Sequence, residues 1–117
     1  MYKDWKKTAV EVEKLLGEVM KGQPEVVRGF AQMGKAVKTD GALTGGQKEL
    51  IALGISIAIR CDSCIAFHAR NAAKADVTRE EILETVGMAI YMGGGPSFGY
   101  GAQALEAFDQ FKAGEPA

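Results

Sequence analysis

The chain holds two cysteines and one histidine, and all of them fall in one short run, Cys61-Asp62-Ser63-Cys64-Ile65-Ala66-Phe67-His68. A C-x-x-C pair followed by an imidazole is the composition of a thiol redox site. On a helix, positions three, four and seven apart share a face, so these side chains would point the same way. With Cys64 in the first turn of that helix, unpaired amides and the helix dipole favour a thiolate, which is nucleophilic near neutral pH. His68 can take the proton or stabilise the anion, and Cys61 is near enough to attack an oxidised Cys64 and close a disulfide.

Other chemistry fits the same residues less completely. Thiolate and imidazole are zinc ligands, but a closed structural site wants four, and a carboxylate or a second subunit would have to complete the set. A purely structural disulfide between residues so close in sequence restrains the unfolded chain little. Both thiols could also pack as small apolar groups beside a satisfied core histidine. Upstream, Glu49 stands on an otherwise apolar segment. Its plainest partner is Arg60 on the same stripe; the functional alternative is a proton acceptor packed against the Cys/His face.

Those side chains must be placed by helices. From Asp4 to Lys21, Trp5, Ala9, Val12, Leu16 and Val19 recur at helical spacing. Gly22 stops that helix, and Pro24 opens a second with Val26, Val27, Phe30, Met33 and Val37 on one side. Thr44-Gly45-Gly46-Gln47 has the form of a capping box starting a third, running through about Arg60. Its apolar residues cover nearly the whole circumference and leave Glu49, Ser56 and Arg60 as a narrow polar stripe, the pattern of a central or subunit-interface helix.

The fourth segment, Asp62 to Ala75, has Cys61, Cys64, Ile65, His68, Ala72 and Ala75 on its expected inward face. Thr78-Arg79-Glu80-Glu81 is a second capping box, opening a fifth helix that ends at Gly93-Gly94-Gly95. Pro96 starts a sixth, with Phe98, Leu105, Phe108 and Phe111 inward, before fraying over 114–117. The glycine run lacks the Lys-Ser/Thr ending of a P-loop and follows a helix, so it reads as a connection. No strand alternation competes, and the expected fold is an all-α bundle of about six helices in a single domain, 1–117.

The totals narrow the partners. Fourteen Lys and Arg against fifteen Asp and Glu leave a net charge of -1, so neither nucleic acid nor an anionic membrane surface is favoured. The longest apolar stretch, Leu50 to Ile59, is about half of the roughly 20 residues a bilayer span needs. Without a secretory pattern at the N-terminus, a cytoplasmic location is expected. No motif calls for a cofactor.

The spacing Glu49, eleven residues, Cys61, two residues, Cys64, three residues, His68 resembles the motif of the alkylhydroperoxidase-D-like proteins within the carboxymuconolactone decarboxylase superfamily. The resemblance runs from about Thr44 through the helix opened by Thr78 and into Gly93-Gly94-Gly95-Pro96. It implies the all-α alkylhydroperoxidase-D-like bundle, assembled as a homo-oligomer, trimer or hexamer. It also implies Cys64 as the peroxide-attacking thiol, Cys61 as its resolving partner, and Glu49 and His68 as a proton relay. The implied partners are a hydroperoxide substrate and a dithiol reductant or lipoyl-type adaptor protein. Well-characterised peroxidase members carry a second histidine directly before the second cysteine; here Ser63 stands there, and a hydroxyl is not a base near pH 7. Two alternatives remain at this level: a lyase acting on a small lactone or oxo acid, as in the decarboxylase branch, which generally lacks the cysteine pair, and a non-catalytic redox sensor.

Overall fold

In a computed structural model, which describes residues 1–114, six helices follow one another through short connections. They are α1 (Trp5–Gly22), α2 (Pro24–Val37), α3 (Gly45–Ala58), α4 (Asp62–Lys74), α5 (Arg79–Gly93) and α6 (Gly95–Ala113). Among the described residues there is no strand. The expected fraying over 115–117 lies outside the described residues.

Local chemistry sets where each helix begins. The Asp4 carboxylate accepts the Lys7 amide proton at the head of α1, and proline occupies the first turn of α2, where its missing N–H costs nothing. Both expected capping boxes form in full, Thr44 with Gln47 for α3 and Thr78 with Glu81 for α5. Between α5 and α6 a single residue, Gly94, turns the chain with φ +73°, a conformation that suits glycine.

The body is built from α3, α4, α5 and α6, with α6 lying along α4 and α5. Its centre is Leu53, Ile57, Ile65, Ile82 and Phe108, interleaved with Ala66, Ala69, Ala104 and Ala107, all essentially without exposure. Small residues on α4 and α6 bring their backbones close. The α5–α6 approach is also close, since a Cβ on Gly101 would lie 2.6 Å from the Val86 side chain.

The first turns of α1 are bound into this body. Trp5 is fully buried, and its indole Nε1 donates to Glu106 Oε1 at 2.9 Å. The Tyr2 and Lys3 amides donate to the same carboxylate at 2.6 and 2.9 Å. Led by the Tyr2 amide, these donors hold the Glu106 carboxyl below the usual carboxylate range despite partial desolvation. Lys3 also pairs with Asp62, beside Cys61, at 2.9 Å.

Several faces expected to be inward are not covered by this chain. Of the α1 stripe, Trp5 and Ala9 are buried, but Leu16 and Val19 are about half exposed, because α1 runs past the end of the body. Helix α2 packs on α1 alone, buries no residue, and leaves Val26, Phe30, Met33 and Val37 in the open. Phe98, expected inward on α6, is exposed as well.

Helix α3 is inverted relative to a surface helix. Its polar stripe faces in, with Glu49 and Ser56 buried beside Leu53 and Ile57, while Ile51, Ile55 and Ile59 face out at half exposure or more. The helix ends at Ala58, earlier than expected, because Arg60 takes a left-handed conformation (φ 60°) and leaves the stripe.

Candidate active site

The turn at Arg60 brings the cysteines back toward α3. Its closing hydrogen bonds are Arg60 N–H to Ile57 O at 3.2 Å and Cys61 N–H to Ser56 O at 3.0 Å. Cys61 then becomes the N-cap of α4, its sulfur accepting the Cys64 amide proton at 3.2 Å. Cys64 therefore sits in the first helical turn, as expected from the sequence. The two residues are joined as a disulfide across a Cα–Cα distance of 5.2 Å, well inside the span such a bond tolerates. Sulfurs bonded to each other are not thiolates, so in this state they offer no zinc ligand. Among the described residues, no group of three or more His, Cys, Asp or Glu is placed to hold a metal ion.

Both cysteines are half-buried, as are Ser63 and His68, while Ile65, Ala66 and Ala69 on the same helix are sealed in the core. The Cys/His face of α4 thus lies at the edge of the core, within reach of solvent. Ala75, expected on that face, is exposed past the helix end. Ser63 Oγ lies 3.6 Å from Cys61 Sγ, consistent with a hydrogen-bonding role rather than a basic one.

Glu49 meets this face from α3. One carboxylate oxygen, Oε2, is 2.8 Å from His68 Nδ1, and the side chain is only 9 % exposed. Its other oxygen, Oε1, accepts from Asn71 Nδ2 at 3.4 Å. Arg60, the partner expected on the stripe, takes no part, because the left-handed turn carries it outward. A buried carboxylate needs hydrogen-bonding partners, and two side chains from α4 supply them. Asn71 was not singled out in the sequence, although its position three residues beyond His68 places it on the same helix face.

Two openings flank the pair. On one side is a cleft of about 330 Å³ walled by Val37, Ile51, Ala52 and Ile55, with Lys38 and Lys48 at its edge and Glu49 and His68 among its lining. On the other is a more polar recess of about 510 Å³ lined by Lys38, Asp40, Asn71 and Lys74 as well as Glu49. Glu49 forms part of the wall between an apolar pocket and a polar one.

Comparison with known proteins bears on the fold and the family. A protein of Legionella pneumophila described as a carboxymuconolactone decarboxylase family protein superposes with a TM-score of 0.88 at 44 % identity, over 92 % of this chain and 96 % of that one. A Thermotoga maritima protein of the same family superposes with a TM-score of 0.79 at 26 % identity, over 91 % of each. An uncharacterised protein of Cupriavidus necator is 35 % identical over 113 residues, which are 97 % of this chain and all of that one. The profile of the Carboxymuconolactone decarboxylase family matches residues 24–107, a span that takes in Glu49, Cys61, Cys64, His68 and the helices that carry them, and the chain belongs to that family.

Proposed function

We propose that the chain is a thiol-dependent oxidoreductase that reduces hydroperoxides through Cys64 and Cys61. What supports it most directly is the convergence of a vicinal cysteine pair at the start of α4 with a buried Glu49–His68 contact from the adjoining helix. The Thermotoga maritima relative, whose suggested role is in antioxidative response, is consistent with the same chemistry.

In the reduced protein, His68 takes the Cys64 proton, and Glu49 stabilises the imidazolium through Nδ1. The thiolate attacks one oxygen of the hydroperoxide, the O–O bond breaks, and the alkoxide leaves with the proton from His68 as an alcohol. Cys64 is then a sulfenic acid. The Cys61 sulfur attacks Cys64 Sγ, the S–S bond forms, and hydroxide departs with the Cys61 proton as water. A dithiol reductant, free or carried on a lipoyl-type adaptor protein, returns both cysteines to thiols by disulfide exchange and is itself oxidised.

Wild-type protein supplied with a small organic hydroperoxide and a dithiol is expected to consume peroxide in proportion to enzyme, with one dithiol oxidised per peroxide. Absence of catalysed consumption sinks the reading. Turnover of a small lactone by a Cys61→Ser/Cys64→Ser double variant would move the assignment to the lyase alternative.

The uncovered apolar faces belong to the same proposal. Ile51, Ile55, Met88 and Met92 line one exposed apolar surface on α3 and α5, and α2 presents Phe30 and Met33. Patches of this kind on a folded chain call for a partner. A homo-oligomer, trimer or hexamer, covers them. Light scattering on eluting protein should give three or six times the chain mass, and a monomer at micromolar concentration would overturn this part.

A further inference from the structure

A single helix holds Glu49 by both ends of its carboxylate. His68 Nδ1 stands 2.8 Å from Oε2 and Asn71 Nδ2 stands 3.4 Å from Oε1, and the two residues are three apart on α4, so they project side by side. The terminal torsion of a glutamate is broad. One hydrogen bond therefore leaves the carboxylate free to swing, whereas two from one rigid element fix its plane. A carboxylate accepts only, so the amide must present its nitrogen and the Asn71 flip is determined by chemistry.

The consequence reaches His68. A carboxylate locked on Nδ1 requires a proton on that nitrogen, and a neutral imidazole with a proton on Nδ1 keeps its lone pair on Nε2. We propose that Asn71 is a positioning residue of this site, orienting Glu49 so that His68 is held as the Nδ1–H tautomer with Nε2 as the basic nitrogen. Asn71 reaches the chemistry only through Glu49 and His68. As a neutral donor it brings no charge of its own to the carboxylate, whereas the cationic groups nearby, Lys38 and Lys74, line the polar recess and are exposed.

The kinetic side of this proposal rests on the peroxidase reading; the tautomer does not. The chain has one histidine, so the ring nitrogens of 15N-labelled protein give an unambiguous pair of NMR signals. In the disulfide form, on the alkaline plateau of a 15N titration where the ring is neutral, wild type should show Nδ1 protonated and Nε2 bare. Asn71→Leu, similar in size and without a donor, should lower the Nδ1–H to Nε2–H ratio roughly fivefold, the weight of one ordinary hydrogen bond. Asn71→Gln, which keeps an amide donor, should recover most of it. An unchanged ratio in Asn71→Leu overturns the proposal, and Asn71→Ala carries the same reading should the leucine variant lose its helical signal. With peroxidase activity present, kcat should fall about tenfold in Asn71→Leu while KM stays within about twofold, the scale of losing an outer partner to an orienting group.

Discussion

Replacing Cys64 with serine should lower hydroperoxide consumption by at least about 10³-fold, the order expected when a covalent nucleophile is removed. A serine hydroxyl stays protonated near pH 7 and is not oxidised by peroxide, so neither the attack nor the sulfenic acid survives the change. The substitution is nearly isosteric at a half-buried position, and it leaves in place the backbone amide that donates to the cap at Cys61. The fold should therefore persist, with an unaltered circular-dichroism spectrum. Cys61→Ser should differ in kind: the first peroxide is reduced and a sulfenic acid accumulates on Cys64, trappable by dimedone. A Cys64→Ser rate within tenfold of wild type would remove Cys64 from the role of attacking thiol.

Trp5→Ala should cost about 3–5 kcal/mol of folding stability, the range for deleting a large buried aromatic, measured as a fall in the urea midpoint at an unchanged slope. Trp5 is wholly buried against the body, so the change leaves a cavity and strips Glu106 of its indole donor. The loss is a large share of the roughly 5–15 kcal/mol typical of a domain. Val10→Ala, on the same helix at 55 % exposure, serves as the control and should shift the midpoint little. A comparable loss in both variants would show that burial of the indole does not set the cost, since alanine raises helix propensity at either position.

The Glu106 contacts add a pH signature to the same region. Because the folded protein lowers the pKa of Glu106, chiefly through the Tyr2 amide, its contribution is complete above the unfolded value of about 4.3. It is lost as pH falls through the folded value. Glu106→Gln should accordingly flatten the acid limb of the urea midpoint measured between about pH 5 and 2.

Helix starts were legible because they are local. Thr44 with Gln47, Thr78 with Glu81, Pro24 and Pro96 each act within one turn, and each stands at the head of a helix in the structure. The cluster of Cys61, Cys64 and His68 was legible for the same reason. Glu49 is nineteen residues from His68, and the sequence could name it as a candidate but not choose between His68 and Arg60 as its partner. The deciding fact is the left-handed turn at Arg60, which no residue preference announces. Periodicity likewise identified the apolar stripe of α2 but not what lies over it, since the angle at which α2 leaves α1 is a tertiary matter. On α3 the rule of polar side outward misleads, because buried Glu49 is matched by His68 and Asn71 of α4 and the Ser56 hydroxyl by Ala52 O of its own helix.

That inversion makes α3 a partition with different loads on its two faces. Its isoleucine side borders the 330 Å³ cleft and continues onto the exposed apolar surface; its acid side holds the 2.8 Å contact with His68. A helix backbone is stiff along its length, and the packed interior behind it yields little. Glu49 lies two residues before Ile51, so the buried acid and the first isoleucine of the outer wall share one turn of α3. Whatever covers the outer wall of α3 therefore lies within one helical turn of the acid that meets His68.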